Sequence, residues 1–312
     1  MKLLIADDDA IMRALSLSGL TRLGYQVEVA TNGDEAWAAL QQPQAPELAI
    51  LDWQMPGMTG IEICRKLRER RDCAYVYVIL LTGKHTLKDL VAGMEAGADD
   101  YMTKPFKPAE LTARLRSGQR VLDLQRELLA AQAQLQILAN HDSLTSLWNR
   151  RMILARLQEE LARTRRESNS VGAILLDIDH FKRINDALGH AQGDEVLLQV
   201  AKRLTKTIRP YDSVGRYGGE EFLIVAAHCN MAETFKLAER VRSTLCSAPV
   251  QSSGGPIEVT ASFGVSATTV GEELDPKTLI GAADRALYRA KESGRNRVEW
   301  FFPERYCAIE LR

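Results

Sequence analysis

Residues Ser213–Ala227 read SVGRYGGEEFLIVAA. Two runs suited to strands flank a Gly-Gly pair, and two glutamates open the second run. The stretch predicts a tight β-hairpin with Gly218 and Gly219 at its bend. Its neighbours alternate strand and helix. They are the strand VGAILLDID (171–179), the helices DEVLLQVAKRLTKTI (194–208) and MAETFKLAERVRSTL (231–245), the strand IEVTASFGVSAT (257–268), the helix DPKTLIGAADRALYRAKESG (275–294) and the strand NRVEWFF (296–302). A hairpin inside such an order predicts a mixed or antiparallel α+β sheet of ferredoxin-like type.

Towards the N-terminus the alternation is strict. KLLIAD (2–7), YQVEVA (25–30), ELAILD (47–52), YVYVILLT (75–82) and DDYMTKPF (99–106) read as strands. AIMRALSLSGLTRLG, GDEAWAALQQ, GIEICRKLRERR and TLKDLVAGMEAGA carry helical periodicity between them. This predicts an α/β domain with a doubly wound parallel sheet. Ligands bind such sheets at the carboxyl ends of strands, where Asp7, Asp8, Asp52, Thr82 and Lys104 fall. From Pro108 to Asn140 the pattern is helical, with Gly118 the one break signal. Val121, Leu124, Leu128, Ala131, Leu135 and Leu138 recur in steps of three and four, the seam of a coiled coil between two copies. Leu115, Leu122 and Leu129 form a second stripe, an alternative packing surface. The expected division is a first domain over 1–120, a helical linker over 108–140 and a second domain over 140–305.

The 312 residues suit two such domains. A net charge of −1 leaves no global field for nucleic acid or an anionic membrane, so anionic ligands need local charge. No apolar run approaches the roughly 18 residues of a membrane span, and the N-terminus is no signal peptide. Cys64, Cys73, Cys229, Cys246 and Cys307 form no C-x-x-C pair, which fits a reducing cytoplasm.

Two acidic sets stand out. Asp7, Asp8 and Asp52 end adjacent strands, and three close carboxylates need a hard cation such as Mg²⁺. Asp52 could then attack phosphorus, with Lys104 and Thr82 meeting the phosphoryl oxygens. In the second set Asp177 ends a strand, and Glu220 and Glu221 sit on the hairpin. Gly218 and Gly219 allow a polyphosphate close to the backbone. Asn185 and Asp194 offer an amide and a carboxylate to the edge of guanine. Lys182, Lys291 and Arg295 supply cations for a triphosphate, the last two spaced i, i+4 on one helix face.

ADDDAIMR, LDWQMPGMTG, LLTGK and YMTKPF resemble the receiver domain of bacterial response regulators, a flavodoxin-like fold. The resemblance implies Asp52 as phospho-acceptor, phosphorylated by a cognate histidine kinase. It implies Mg²⁺ on Asp8, Asp52 and the Gln54 carbonyl, with Asp7 acting through water. Thr82 and Tyr101 become a switch pair, and Lys104 a phosphoryl contact. HDSLTSLWNRR, DIDHFKRINDALGHAQGDEVL, RYGGEEF, TASFGVS and ADRALYRAKESGRNRV are similar to the GGDEF family, the diguanylate cyclases, whose domain is a nucleotidyl-cyclase palm. That similarity implies Mg²⁺, or Mn²⁺ in its place, on Asp177, the Ile178 carbonyl and Glu220, with Glu221 a further partner. Asn185 and Asp194 then read guanine. Lys182, Lys291 and Arg295 hold phosphates, and Glu220 is the candidate base.

The implied activity is condensation of two GTP to cyclic di-GMP in a homodimer, controlled by phosphorylation of Asp52. RPYD (Arg209–Asp212) matches the family's R-x-x-D inhibitory motif, and Arg240 resembles its second product contact. The competing expectation is an inactive GGDEF domain serving as a cyclic di-GMP receptor. A DNA-binding regulator lacks a recognition helix and a basic stripe. No EAL-type hydrolase follows VEWFF, so hydrolysis of the product is not expected.

Overall fold

Short aliphatic runs bury the three central strands of the first compact unit, Met1–Gln132. The computed structural model describes residues 1–70, 74–83, 87–167, 169–271 and 274–303, without the side chains of 15, 16, 87–90 and 165. Arg71, Cys73, Lys84, Thr86, Cys307 and the last two residues expected in the second domain lie outside the described residues. The elements are β1 (Lys2–Ala6), α1 (Ala10–Arg22), β2 (Gln26–Ala30), α2 (Gly33–Leu40), β3 (Leu48–Asp52), α3 (Gly60–Glu69), β4 (Tyr77–Thr82), α4 (Leu87–Glu95), β5 (Asp100–Thr103) and α5 (Pro108–Asn140). The sheet runs β2-β1-β3-β4-β5 and every pair is parallel, the flavodoxin-like order. Chain direction across the sheet reverses between β1 and β3, which opens a crevice at their carboxyl ends. Local chemistry sets the helix starts there. Asp9 accepts from the Ile11 and Met12 N–H groups at the head of α1, and Thr59 forms a capping box with Glu62 at the head of α3.

The first half of α5 is core. Leu111, Leu115 and Leu122 are buried with Leu3, Ile5, Leu48, Ile50, Tyr77 and Ile79. Gly118 does not break the helix. A Cβ there would overlap the Tyr77 ring, so glycine lets α5 pass close over β4. The expected second stripe therefore divides: Leu115 and Leu122 belong to the first core, and only Leu129 is exposed. An alternative seam on that stripe would have to empty the core. The main stripe is different. Leu124, Leu128, Leu135 and Leu138 are 62–68% exposed within one chain.

The second unit, Ala133–Arg312, contains α6 (Arg150–Glu167), β6 (Val171–Ile178), α7 (Phe181–Leu188), α8 (His190–Thr207), β7 (Ser213–Arg216), β8 (Glu221–Ala227), α9 (Met231–Cys246), β9 (Val250–Ser252), β10 (Gly255–Ile257), β11 (Ala261–Ala267), α10 (Pro276–Glu292) and β12 (Val298–Trp300). Its main sheet runs β12-β11-β6-β8-β7, antiparallel except for the β11–β12 pair. Taking β6, β7, β8 and β11 as first to fourth, the order is 4-1-3-2, the ferredoxin-like arrangement. Ile174, Leu176, Phe222 and Ile224 pack on Val196, Val200, Leu237 and Val241 on one face. Leu175, Leu223 and Val225 pack on Ile153, Leu157, Ala283 and Leu287 on the other. A Cβ at Gly264 would overlap the α10 backbone, so α10 lies tight on β11 and its C-terminal end reaches the tip of β6.

Three details differ from expectation. Gly189, at φ +90°, separates α7 from α8. Ile257 belongs to a small β9–β10 hairpin rather than to β11. And α10 ends at Glu292, before Arg295. Among the described residues, no helix is long and apolar enough to cross a membrane.

Candidate functional site

In the first unit, Asp7 and Asp8 follow β1 and Asp52 closes β3. Each offers an oxygen within 4.8 Å of the others. Asp7 and Asp52 are buried and Asp8 is exposed. Lys104, just past β5, sets its Nζ 2.7 Å from Asp7 Oδ2 and 2.7 Å from Asp52 Oδ2. Burial holds the Asp52 carboxyl above the ordinary aspartate range, while Lys104 and the Gln54 backbone N–H pull the other way. One ammonium cannot neutralise three carboxylates, and the remaining donors are all oxygen. The set suits a hard divalent cation. Thr82 is buried at the end of β4. Tyr101, on β5, packs against the core with the Arg114 guanidinium 5.7 Å from its ring.

In the second unit, register builds the site. Asp177 on β6 stands opposite Glu221 on β8 and Ser262 on β11. The Ile178 N–H donates to the Glu220 carbonyl at 3.3 Å, which brings the turn against the strand tip. Lys291 Nζ lies 2.8 Å from Asp177 Oδ2. Burial raises the Asp177 carboxyl above its usual range, against Lys291 and Arg295. Glu220 and Glu221 are also raised, first by burial and then by the Asp177 charge. Carboxylates held this way favour a partner that brings positive charge.

The glycines explain themselves. Neither Gly218 nor Gly219 has a positive φ, so neither serves a left-handed turn. A Cβ at Gly218 would overlap the Glu221 carboxylate, whereas Gly219 faces open space with nothing within 4 Å.

Among the described residues, only Asp7, Asp8 and Asp52 bring three metal-type side chains within reach of one ion. Asp177, Glu220 and Glu221 share one region without closing to that distance. Asn185 lies half-buried on α7, while Lys182 on α7 and Asp194 on α8 are exposed. Arg295 is not on the face of α10 with Lys291. It sits past the C-cap Ser293 and Gly294, with φ +61°, and its N–H donates to the Ala290 carbonyl at 3.0 Å. The helix stops because Gly294 takes a left-handed φ of +112° just beyond its C-cap, a common helix ending.

Asp212 is buried, and both its oxygens are taken by backbone. Oδ2 accepts from the Arg209 N–H at 3.0 Å and Oδ1 from the Ala227 N–H at 3.2 Å. Arg209 stacks its guanidinium 5.8 Å from the Tyr211 ring, and Arg240 donates to the Thr207 carbonyl at 3.2 Å.

Three residues escaped the sequence reading. Gly193 leaves room for Asn185, since a Cβ there would overlap Asn185 Oδ1. Arg216 donates to the Gly219 carbonyl at 2.7 Å and pairs with Asp142 at 3.2 Å, tying the glycine turn to the stretch after α5. Asp179 is buried two residues beyond Asp177. The signal for Asp179 was its place in DID, and for Arg216 its place beside the glycines.

The family model described as "Diguanylate cyclase, GGDEF domain" matches residues 139–297, and that described as "Response regulator receiver domain" matches residues 3–116. The chain is 33% identical over 281 residues to the response regulator PleD of Caulobacter vibrioides, which covers 88% of this chain and 61% of that protein. It is 36% identical over 180 residues to the diguanylate cyclase DosC of Escherichia coli, covering 58% of this chain and 38% of the relative. The chain thus spans about three fifths of PleD and less of DosC. Among solved structures, the coiled coil and GGDEF domain of DgcB from Caulobacter crescentus, in complex with c-di-GMP, aligns at a TM-score of 0.54 and 30% identity. The match covers 61% of this chain and 98% of that one.

Proposed function

This chain belongs to the GGDEF family of diguanylate cyclase domains, preceded by a response regulator receiver domain, and on that premise we propose that it condenses two GTP into cyclic di-GMP and two pyrophosphates. The observation that carries the reading is the Asp177 carboxylate at the β6 tip, facing the hairpin glutamates and held by Lys291. In each half-reaction the 3′-hydroxyl oxygen of one GTP bonds to the α-phosphorus of the other, and the bond to the β-phosphate bridging oxygen breaks. Glu220 takes the hydroxyl proton, a role suited to a carboxylate whose proton affinity is raised. Asp177, the Ile178 carbonyl, Glu220 and Glu221 would hold a divalent cation, which would supply hydroxyl activation and charge stabilisation. Asn185 and Asp194 orient guanine. Lys182, Lys291 and Arg295 draw the triphosphate into line, over a turn that Gly218 and Gly219 keep bare.

One subunit binds one GTP, so two must face each other. The exposed leucines of α5 give a homodimer its seam. A histidine kinase, or a small phosphodonor, phosphorylates Asp52 in the cytoplasm, and the added charge draws Thr82 and Tyr101 inward. Arg209 and Arg240 form a product site beside Asp212, a reading favoured by two arginine charges that flank one aspartate and oppose the rise that burial gives its carboxyl. Unchanged cyclic di-GMP affinity of Arg209→Ala by calorimetry would remove that site. The main reading is tested by incubation with GTP and Mg²⁺, with and without phosphodonor, and chromatography of the nucleotides. Cyclic di-GMP supports it. Binding of cyclic di-GMP without turnover would favour the receptor instead.

A further inference from the structure

Asp179 is 5% exposed and has no part in the chemistry above. Its Oδ1 accepts from the Ser262 hydroxyl at 2.7 Å. Its Oδ2 accepts from the Thr260 hydroxyl at 2.8 Å and the Asn296 backbone N–H at 3.0 Å. A buried carboxylate persists when donors converge on it in this way. Two of those donors come from β11 and the residue before it. The third comes from the turn after α10, the turn that carries Arg295.

That turn is strained. Arg295 and Asn296 both hold left-handed backbone, at φ +61° and +45°. Such backbone is disfavoured for residues with a Cβ, and it survives where the surroundings over-determine it. Here the Arg295 N–H donates to the Ala290 carbonyl, and the Arg242 guanidinium donates to Asn296 Oδ1 at 3.0 Å. These bonds tie the turn to helices. The Asn296 N–H to Asp179 bond fastens it to the end of β6, two residues beyond Asp177. Arg295 is exposed there, and its charge is felt at Asp177.

We propose that Asp179 is a positioning residue, which pins the Arg295–Asn296 turn to the tip of β6 so that the Arg295 guanidinium meets the triphosphate of bound GTP. The proposal rests on the function above, in which Arg295 holds phosphate. Asp179 touches no substrate. It acts by fixing the one conformation in which the arginine is already aimed, which spares the ordering of a long side chain on binding.

The test uses the full chain, with KM and kcat for GTP read from pyrophosphate release and folding followed by thermal unfolding. Asp179→Ala raises KM about tenfold, the scale of one displaced charge-assisted contact, while kcat stays within about threefold. Asp179→Asn restores KM, because its amide can donate to the Ser262 hydroxyl while its oxygen still accepts from Thr260 and Asn296. Asn296→Pro also raises KM, since proline removes the donated N–H and forbids a positive φ. It gives up the turn's bonds to Asp179 and Arg242 but leaves the buried acceptor itself in place, and so decides the matter if Asp179→Ala does not fold. In an Arg295→Ala background, Asp179→Ala adds less than about twofold. A normal KM in Asn296→Pro, or effects of Asp179→Ala and Arg295→Ala that simply multiply, would overturn the role of Asp179 and leave the cyclase reading intact. A silent Arg295→Ala would overturn the phosphate role of Arg295 as well.

Discussion

At the end of β3, three carboxylate oxygens stand within 4.8 Å of one another, with Lys104 bridging two of the three. At the end of β6 the carboxylates are spread over a strand tip and a turn, and Lys291 already holds one Asp177 oxygen at 2.8 Å. The difference follows from sheet direction. Parallel strands flanking a reversal point deliver their ends, and the acids on them, to one crevice whether or not a ligand is there. In the antiparallel hairpin Glu221 opens β8 opposite Asp177, whereas Glu220 sits in the turn before it, so the acids come from a strand and a loop rather than from two parallel strand ends. On the proposed reading, the first site suits a small ion and a phosphoryl group, and the second is completed by substrate, whose phosphates give Lys291 another partner.

The comparison breaks most visibly through the glutamate of the turn. Glu220→Gln lowers cyclic di-GMP formation by about 10³-fold, the scale of a lost acid–base group, as read from pyrophosphate release. Asp52→Asn acts elsewhere. It removes the phosphodonor's stimulation, roughly 5- to 150-fold for a coupling of ordinary size. If Glu220→Gln kept full turnover, the second site would not be the reacting one.

A sharper contrast lies in metal binding without nucleotide. Trp53 adjoins Asp52 and reports on the first site. Mg²⁺ titration of Trp53 fluorescence gives one saturable transition, which Asp8→Ala removes and Glu220→Gln leaves in place. Calorimetry shows the second site only when a non-hydrolysable GTP analogue is present. Two nucleotide-independent sites would erase the distinction.

The smallest effect is on pH. Burial and the Asp177 charge raise Glu220 above the ordinary glutamate value of 4.5. A raised carboxyl keeps its proton to higher pH, and that proton competes with the cation. The Mg²⁺ concentration for half-maximal turnover therefore rises as pH falls from 8 towards the raised Glu220 value, earlier than an ordinary glutamate would require. A flat Mg²⁺ requirement over that span would mean that Glu220 is no ligand.

Both sheets could be read from the chain because each strand end carried its own signal. Alternating apolar runs and helices imply the doubly wound parallel sheet, whose order β2-β1-β3-β4-β5 came from the structure, and Gly-Gly between two β-rich runs implies the β7–β8 hairpin. The losses have physical causes. Leu115, Leu122 and Leu129 recur every seven residues, and a seven-residue stripe looks the same whether it faces a partner or its own sheet. Only the Tyr77 ring under Gly118 tells which. Arg295 lies four residues after Lys291, but Gly294 turns the chain out of the helix first, so spacing misled where the C-cap glycine was the better guide. Asn185 stood out in the sequence as a candidate amide for a base edge. Its seat on Gly193 did not, because a contact between α7 and α8 leaves no periodic trace.

The two backbone bonds on Asp212 bear on how such a protein can drift. Losing Arg209 removes only an exposed side chain, whereas losing Asp212 would orphan two N–H donors at the base of the central hairpin. On the proposed feedback reading, a lineage that abandons it would therefore shed the arginine and keep the aspartate. A surviving aspartate at this place in a descendant says that the hairpin still folds, and nothing about product binding.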